Sequence, residues 1–165
     1  MVPMLVVVYD GAPIYSYYSG VLSDFPGVAL LFWWVGGFSL FAFLATLIRE
    51  IIKDMEDCEG DREAGMKTLP VRCGLTTCKT IVTVLSLITM LLFYLVWNRF
   101  LHDTVTLVYV SLLLAVPLLA VIYIVVAGRE KQQFHMASRL MKLIMVAGML
   151  YSLVAGAIIT SGKIF

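Results

Sequence analysis

Four apolar runs decide what this chain can fold into. They cover residues 28–48, 81–97, 105–127 and 140–160, and none carries enough polar side chains to lie at the surface of a water-soluble domain. At a rise of about 1.5 Å per residue, the shortest covers roughly 25 Å of a ~30 Å hydrocarbon layer. Of the 165 residues, 61% are hydrophobic, well above the content of a soluble domain. The expected fold is therefore all-α, a polytopic transmembrane bundle with four clear spans. A weaker apolar segment at 2–18 is interrupted by Asp10, Gly11 and Pro13, and reads as a broken or re-entrant helix. It does not read as a secretory signal, because no Lys or Arg precedes Arg49.

The basic residues order these spans across the bilayer. Arg49, Lys53, Arg62, Lys67, Arg72 and Lys79 flank the connection after the 28–48 run, and Arg129, Lys131, Arg139 and Lys142 surround the connection after 105–127. The other connections hold only Arg99 and the tail residue Lys163. The positive-inside rule then places both basic connections in the cytoplasm, and the expected location is the cytoplasmic membrane. A net charge of +1, with cations mixed among acids, offers nucleic acid no basic patch. The three cysteines, Cys58, Cys73 and Cys78, fall on the cytoplasmic side and are expected to stay reduced. Their spacing does not suit zinc, and the two histidines, His102 and His135, are expected on opposite sides of the membrane.

No repeat or linker divides the chain, which is expected to be one transmembrane domain over 1–165 with short connections. The exception is a polar helix end and loop at about 49–79. Within it, "REIIKDMEDCEGDREAGMKTLP" (49–70) carries seven acidic residues. On a helix, Asp54, Asp57 and Asp61 fall within an arc of about 60°, and Glu50 falls inside the same arc. Glu56 and Glu59 point elsewhere. Like charges stacked near a helix C-terminus repel one another and oppose the macrodipole, so folding alone does not ask for them. A divalent cation would relieve the repulsion.

All-oxygen ligands suit Mg²⁺ or Ca²⁺. An EF-hand starting at Asp57 fails, because its sixth position is Arg62 in place of Gly and its twelfth is Thr68 in place of Glu. Mg²⁺ is usually held by one or two carboxylates together with waters and substrate phosphates, and Arg62, Lys67 and Arg72 downstream suit the same phosphate. Carboxylates for a metal, cations for a phosphate and an apolar bundle above them describe a site for a lipid diphosphate. A mixed-charge loop that is simply solvated is the competing reading.

The stretch "REIIKDMEDCEGDREAGMKTLPVRCG" (49–74) resembles the second aspartate-rich motif of the UbiA superfamily of intramembrane prenyltransferases. The motif's elements are Asp54, Asp57 and Asp61, followed by Gly65, Thr68, Leu69, Pro70 and Val71. Within the family, the run is most similar to the digeranylgeranylglyceryl phosphate synthase branch, with quinone-forming members next. The resemblance implies Mg²⁺-dependent transfer of a prenyl group from a prenyl diphosphate to an acceptor. That acceptor would be a glycerol-phosphate ether-lipid precursor or, alternatively, an aromatic ring. It also implies that Asp54, Asp57 and Asp61 are the metal-binding and catalytic carboxylates. Arg62 and Lys67 become diphosphate partners, and Lys53 is a further candidate, although a snorkelling role suits it better. For Arg49 and Glu50 an ion pair or a site role is expected, since ionisable groups near a span are costly.

UbiA enzymes resemble a nine-helix bundle with a first motif, N-x-x-x-D-x-x-x-D, facing the second. No such motif occurs here, as the first asparagine is Asn98. The resemblance therefore covers the second half of a nine-helix bundle. The expectation is a piece of a longer enzyme. The alternatives are a short chain completed by a partner chain, and a non-catalytic membrane subunit that binds a lipid phosphate.

Overall fold

The computed structural model describes residues 26–101 and 104–160, with side chains described for 35–99 and 104–152. The segment at 2–18, Asp10, Asp24 and His102 lie outside the described residues. The chain divides into two units, at Phe43 and Leu44. Of the first unit, only the beginning of α1 is described. The second holds everything discussed below.

Among the described residues every regular element is helical. α1 (Pro26–Glu63), α2 (Leu69–Cys73) and α3 (Leu75–Val96) are followed by a π-helical turn at Trp97–Leu101. Next come α4 (Thr104–Tyr109), a second π-turn (Val110–Ala115), α5 (Val116–Ala127) and α6 (Lys131–Thr160). Val35–Glu63, Leu75–Arg99 and Thr104–Ala127 are long and apolar enough to cross a membrane. The fourth apolar run, 140–160, forms the distal part of α6 and reaches past the described side chains.

The polar helix end expected within 49–79 runs on to Glu63, and most of the loop expected after it is helical as well. α1 continues through the acidic run to Glu63, and α3 begins at Leu75, six residues before its apolar run. Hydropathy marks where a helix enters lipid but not where the helix stops. The stop of α1 is a backbone device. Gly65 N–H donates to Arg62 O (3.2 Å) and Met66 N–H to Asp61 O (2.8 Å), the paired bonds of a Schellman motif. Gly65 sits at φ +69°, a conformation that a side chain resists.

α1 buries Ala45, Ile48, Ile52, Met55 and Cys58, a repeat of three and four residues that makes one continuous seam. α3 packs on α5, and α5 on α6. The face that α3 buries is Cys78, Val82, Ser86 and Thr89, while Leu87 and Leu91 point outward, more than half exposed. Small and polar residues inside with large apolar residues outside is the pattern of helices solvated by lipid. Ser86 Oγ is buried without a hydrogen-bond partner, whereas other hydroxyls of the bundle pair with one another or with backbone. Thr106 Oγ1 and Tyr151 OH lie 2.8 Å apart, Tyr109 OH donates to Ala147 O at 2.8 Å, and the two tyrosine rings stack at a tilt, 5.3 Å between centroids. Together they fasten α4 to α6.

The second π-turn has a local cause. Pro117 has no N–H with which to continue the helix, and Val116 N–H donates to Ser111 O, five residues back.

Candidate metal and diphosphate site

The candidate site is built on the last three turns of α1. Asp54, Asp57 and Asp61 are all partly exposed, on the flank of the buried seam, so they are neither swallowed by the bundle nor fully hydrated. Successive aspartates are three and four residues apart, which brings neighbouring β-carbons to about 5–6 Å. From Asp54 to Asp61 the helix rises about 10 Å, so the three carboxylates form two neighbouring pairs along it. Asp57 belongs to both neighbouring pairs.

Charge accumulates here. Asp54 stands in the field of Asp61, Glu50 and Asp57, with Lys53 in opposition. Glu50 accepts a hydrogen bond from Arg49 Nη1, so this adjacent pair neutralises itself at the top of the site. Lys53 is exposed, and its phase lies within about 40° of Asp57. Arg62 is exposed in the last turn and about 100° around the helix from Asp61. Lys67 is exposed in the connection that follows, and Arg72 is exposed on α2. Among the described residues, Arg62 and Lys67 make no ion pair with a protein carboxylate. Helical phase therefore puts Lys53 nearer the carboxylate ladder than Arg62, the reverse of the order in which the sequence ranks them.

Among the described residues no three His, Cys, Asp or Glu side chains converge as a ready cage for a metal ion. The donor set still fits Mg²⁺, because that ion is commonly held by one or two carboxylates, with phosphate oxygens and water completing the octahedron. Either neighbouring pair, Asp54 with Asp57 or Asp57 with Asp61, could hold it.

Two further residues reach the site from α6, and sequence reasoning missed both. Lys131 Nζ donates to Asp57 Oδ1 at 3.2 Å, and His135 Nδ1 lies 2.7 Å from Glu56 Oε1. Their signal was visible in outline: two basic side chains four residues apart at the head of a helix, in the second basic connection.

A model of the UbiA prenyltransferase family matches residues 3–159. The chain belongs to that family. Its relatives include the digeranylgeranylglyceryl phosphate synthase of Methanosphaera stadtmanae, 35% identical over 119 residues that make up 71% of this chain and 41% of the relative. The protein of the same name from Korarchaeum cryptofilum is 34% identical over 116 residues, 68% of this chain and 40% of the relative. That from Methanopyrus kandleri is 50% identical over 48 residues, 29% of this chain and 18% of the relative. In its longest matches above, the chain spans about 40% of the relative's length. No solved structure matches the chain. Family membership and three apolar helices of spanning length make this UbiA family chain an integral membrane protein.

Proposed function

We propose that the chain carries the second aspartate motif of a prenyltransferase that moves a prenyl group from its diphosphate to a glycerol-phosphate ether-lipid precursor. The observation that carries this is the carboxylate ladder Asp54–Asp57–Asp61 at the end of an apolar helix, in a chain whose relatives are digeranylgeranylglyceryl phosphate synthases. Within the ladder Asp54–Asp57–Asp61, Asp57 with one of its neighbours would hold Mg²⁺, while Lys53, Arg62 and Lys67 would hold the diphosphate. When bound, the ion supplies Lewis-acid charge to the leaving oxygens. The apolar helix faces keep water from the allylic carbon as it parts from diphosphate.

In this reading the ladder end of α1 faces the cytoplasm, where soluble diphosphates are available. The chain acts as a single domain, the second half of a nine-helix bundle. The first aspartate motif, absent from its sequence, is then supplied by further sequence or by a partner chain.

The test is diphosphate release by the full-length protein in lipid nanodiscs, with a prenyl diphosphate and a prenylglyceryl phosphate acceptor. Release should need Mg²⁺ and fall by about 10²-fold or more in Asp57→Asn. Release unchanged by that substitution would overturn the proposal.

A further inference from the structure

The head of α6 is held in place more firmly than a connecting corner needs. Gln133 Oε1 accepts from the backbone N–H groups of Arg129 (2.7 Å) and Glu130 (3.1 Å), capping the helix from its third residue. Gly128, just before, has no room for a side chain: a β-carbon there would stand 2.6 Å from Ile124 O. Phe134 is buried beneath the corner, and Lys79 binds Gly128 O from α3. From this fixed corner Lys131 and His135, one turn apart, reach Asp57 and Glu56, consecutive carboxylates on α1. Two contacts in register set the head of α6 against the ladder. Lys131 is thus anchored at its backbone, while its side chain, 69% exposed, has room to swing from Asp57.

Asp57 is also the carboxylate shared by both possible metal pairs. An ammonium on Asp57 Oδ1 and a divalent cation on the same carboxylate repel each other at close range. One must leave. The ammonium is the mobile partner, a compact point charge with three donors on a flexible stem. Diphosphate arriving with the metal offers it new acceptors a short swing away.

We infer that Lys131 is an exchanging counter-ion: it occupies Asp57 while the site is metal-free and transfers to diphosphate oxygen when metal takes the carboxylate. This rests on the prenyl-diphosphate reading above and adds a substrate contact from α6 that the aspartate motif does not contain. Removing Lys131 then has opposite effects on the two ligands, which loss of a merely structural contact would not produce.

The experiment uses the full-length protein in nanodiscs and follows bound Mn²⁺ by electron paramagnetic resonance, first alone and then with inorganic pyrophosphate. Lys131→Gln should bind Mn²⁺ alone about two- to fivefold more tightly, the range an exposed ion pair commands. It should bind pyrophosphate in the presence of Mn²⁺ more weakly by a similar factor, and Lys131→Arg should restore both. Mn²⁺ affinity that is unchanged or weaker in Lys131→Gln overturns the inference, as does unchanged pyrophosphate affinity. Asp57→Asn, measured alongside, separates the two levels. If it binds Mn²⁺ like the parent, the metal-site reading falls and the inference with it. If it loses Mn²⁺ while Lys131→Gln changes nothing, only the inference falls.

Discussion

Lys79 Nζ, from the second turn of α3, donates to the backbone carbonyl of Gly128 at the end of α5. A second bond runs to Val126 O at 3.2 Å, and the ammonium lies 5.9 Å from the centre of the Phe134 ring. A cation on the last carbonyls of a helix satisfies acceptors that have no N–H left to meet, and it complements the negative end of the macrodipole. Lys79→Met keeps the stem and removes the charge. It should cost about 1–2 kcal/mol, read as a lowered midpoint in thermal unfolding of the detergent-solubilised protein.

Gly128→Ala should be as costly for a different reason. The backbone there has φ −63°, which any residue adopts, so the penalty is purely steric. The new methyl meets Ile124 O, a backbone atom that cannot turn away. A loss of about 1–3 kcal/mol is expected. Additivity with Lys79→Met should fail, because both act on the same corner; a double-mutant cycle of unfolding midpoints measures it.

Gly65→Ala isolates backbone conformation. Nothing lies within 4 Å of the β-carbon position, yet φ is +69°. The cost should be about 1 kcal/mol, with Gly65→Asn milder. Hydrogen exchange should quicken at Met66 N–H, whose bond to Asp61 O closes the end of α1.

How far the sequence reveals this molecule differs between its apolar and polar parts. The spans were legible because lipid allows only helices whose backbone groups are satisfied internally. The Asp54–Asp57–Asp61 ladder was legible because its spacing matches the helical repeat. The end of α1 was not. Nothing in the charge pattern separates a polar helix from a polar loop, and the stop depends on two backbone bonds at Gly65. Lys131 and His135 stayed hidden for another reason. Their contacts join residues 74 and 79 positions apart in sequence, and only tertiary packing brings such partners together.

Tyr109→Phe tests the polar seam between α4 and α6. It removes the donor to Ala147 O while keeping the ring against Tyr151. A loss of about 1 kcal/mol is expected, close to the average for an interhelical hydrogen bond in a bilayer. An unfolding midpoint equal to the parent's would show that the ring contact and the Thr106–Tyr151 hydrogen bond hold α4 without the bond to Ala147 O.

On the proposed function, chelating divalent metal should mimic the aspartate variants. With a chelator in excess, prenyl transfer should stop, and added Mg²⁺ should restore it in the parent but not in Asp57→Asn. If Asp57 serves both neighbouring pairs, Asp54→Asn and Asp61→Asn should each lose less activity than Asp57→Asn. Initial rates at saturating Mg²⁺ would rank the three.

The π-turn at Val110–Ala115 settles a question of phase. Thr106, Val110, Leu114 and Leu118 are all buried at constant intervals of four. In an unbroken α-helix such a series drifts by about 40° per step, so Leu118 would have rotated about 120° from Thr106. The wider turn absorbs roughly one residue of that drift, and keeps both ends of the span facing the same neighbours. The span is therefore sensitive to length as well as composition. Deleting one residue from 110–115 would leave the span apolar throughout, yet turn Thr106 and Tyr109 away from Tyr151 and Ala147. A hydropathy profile would not register the damage.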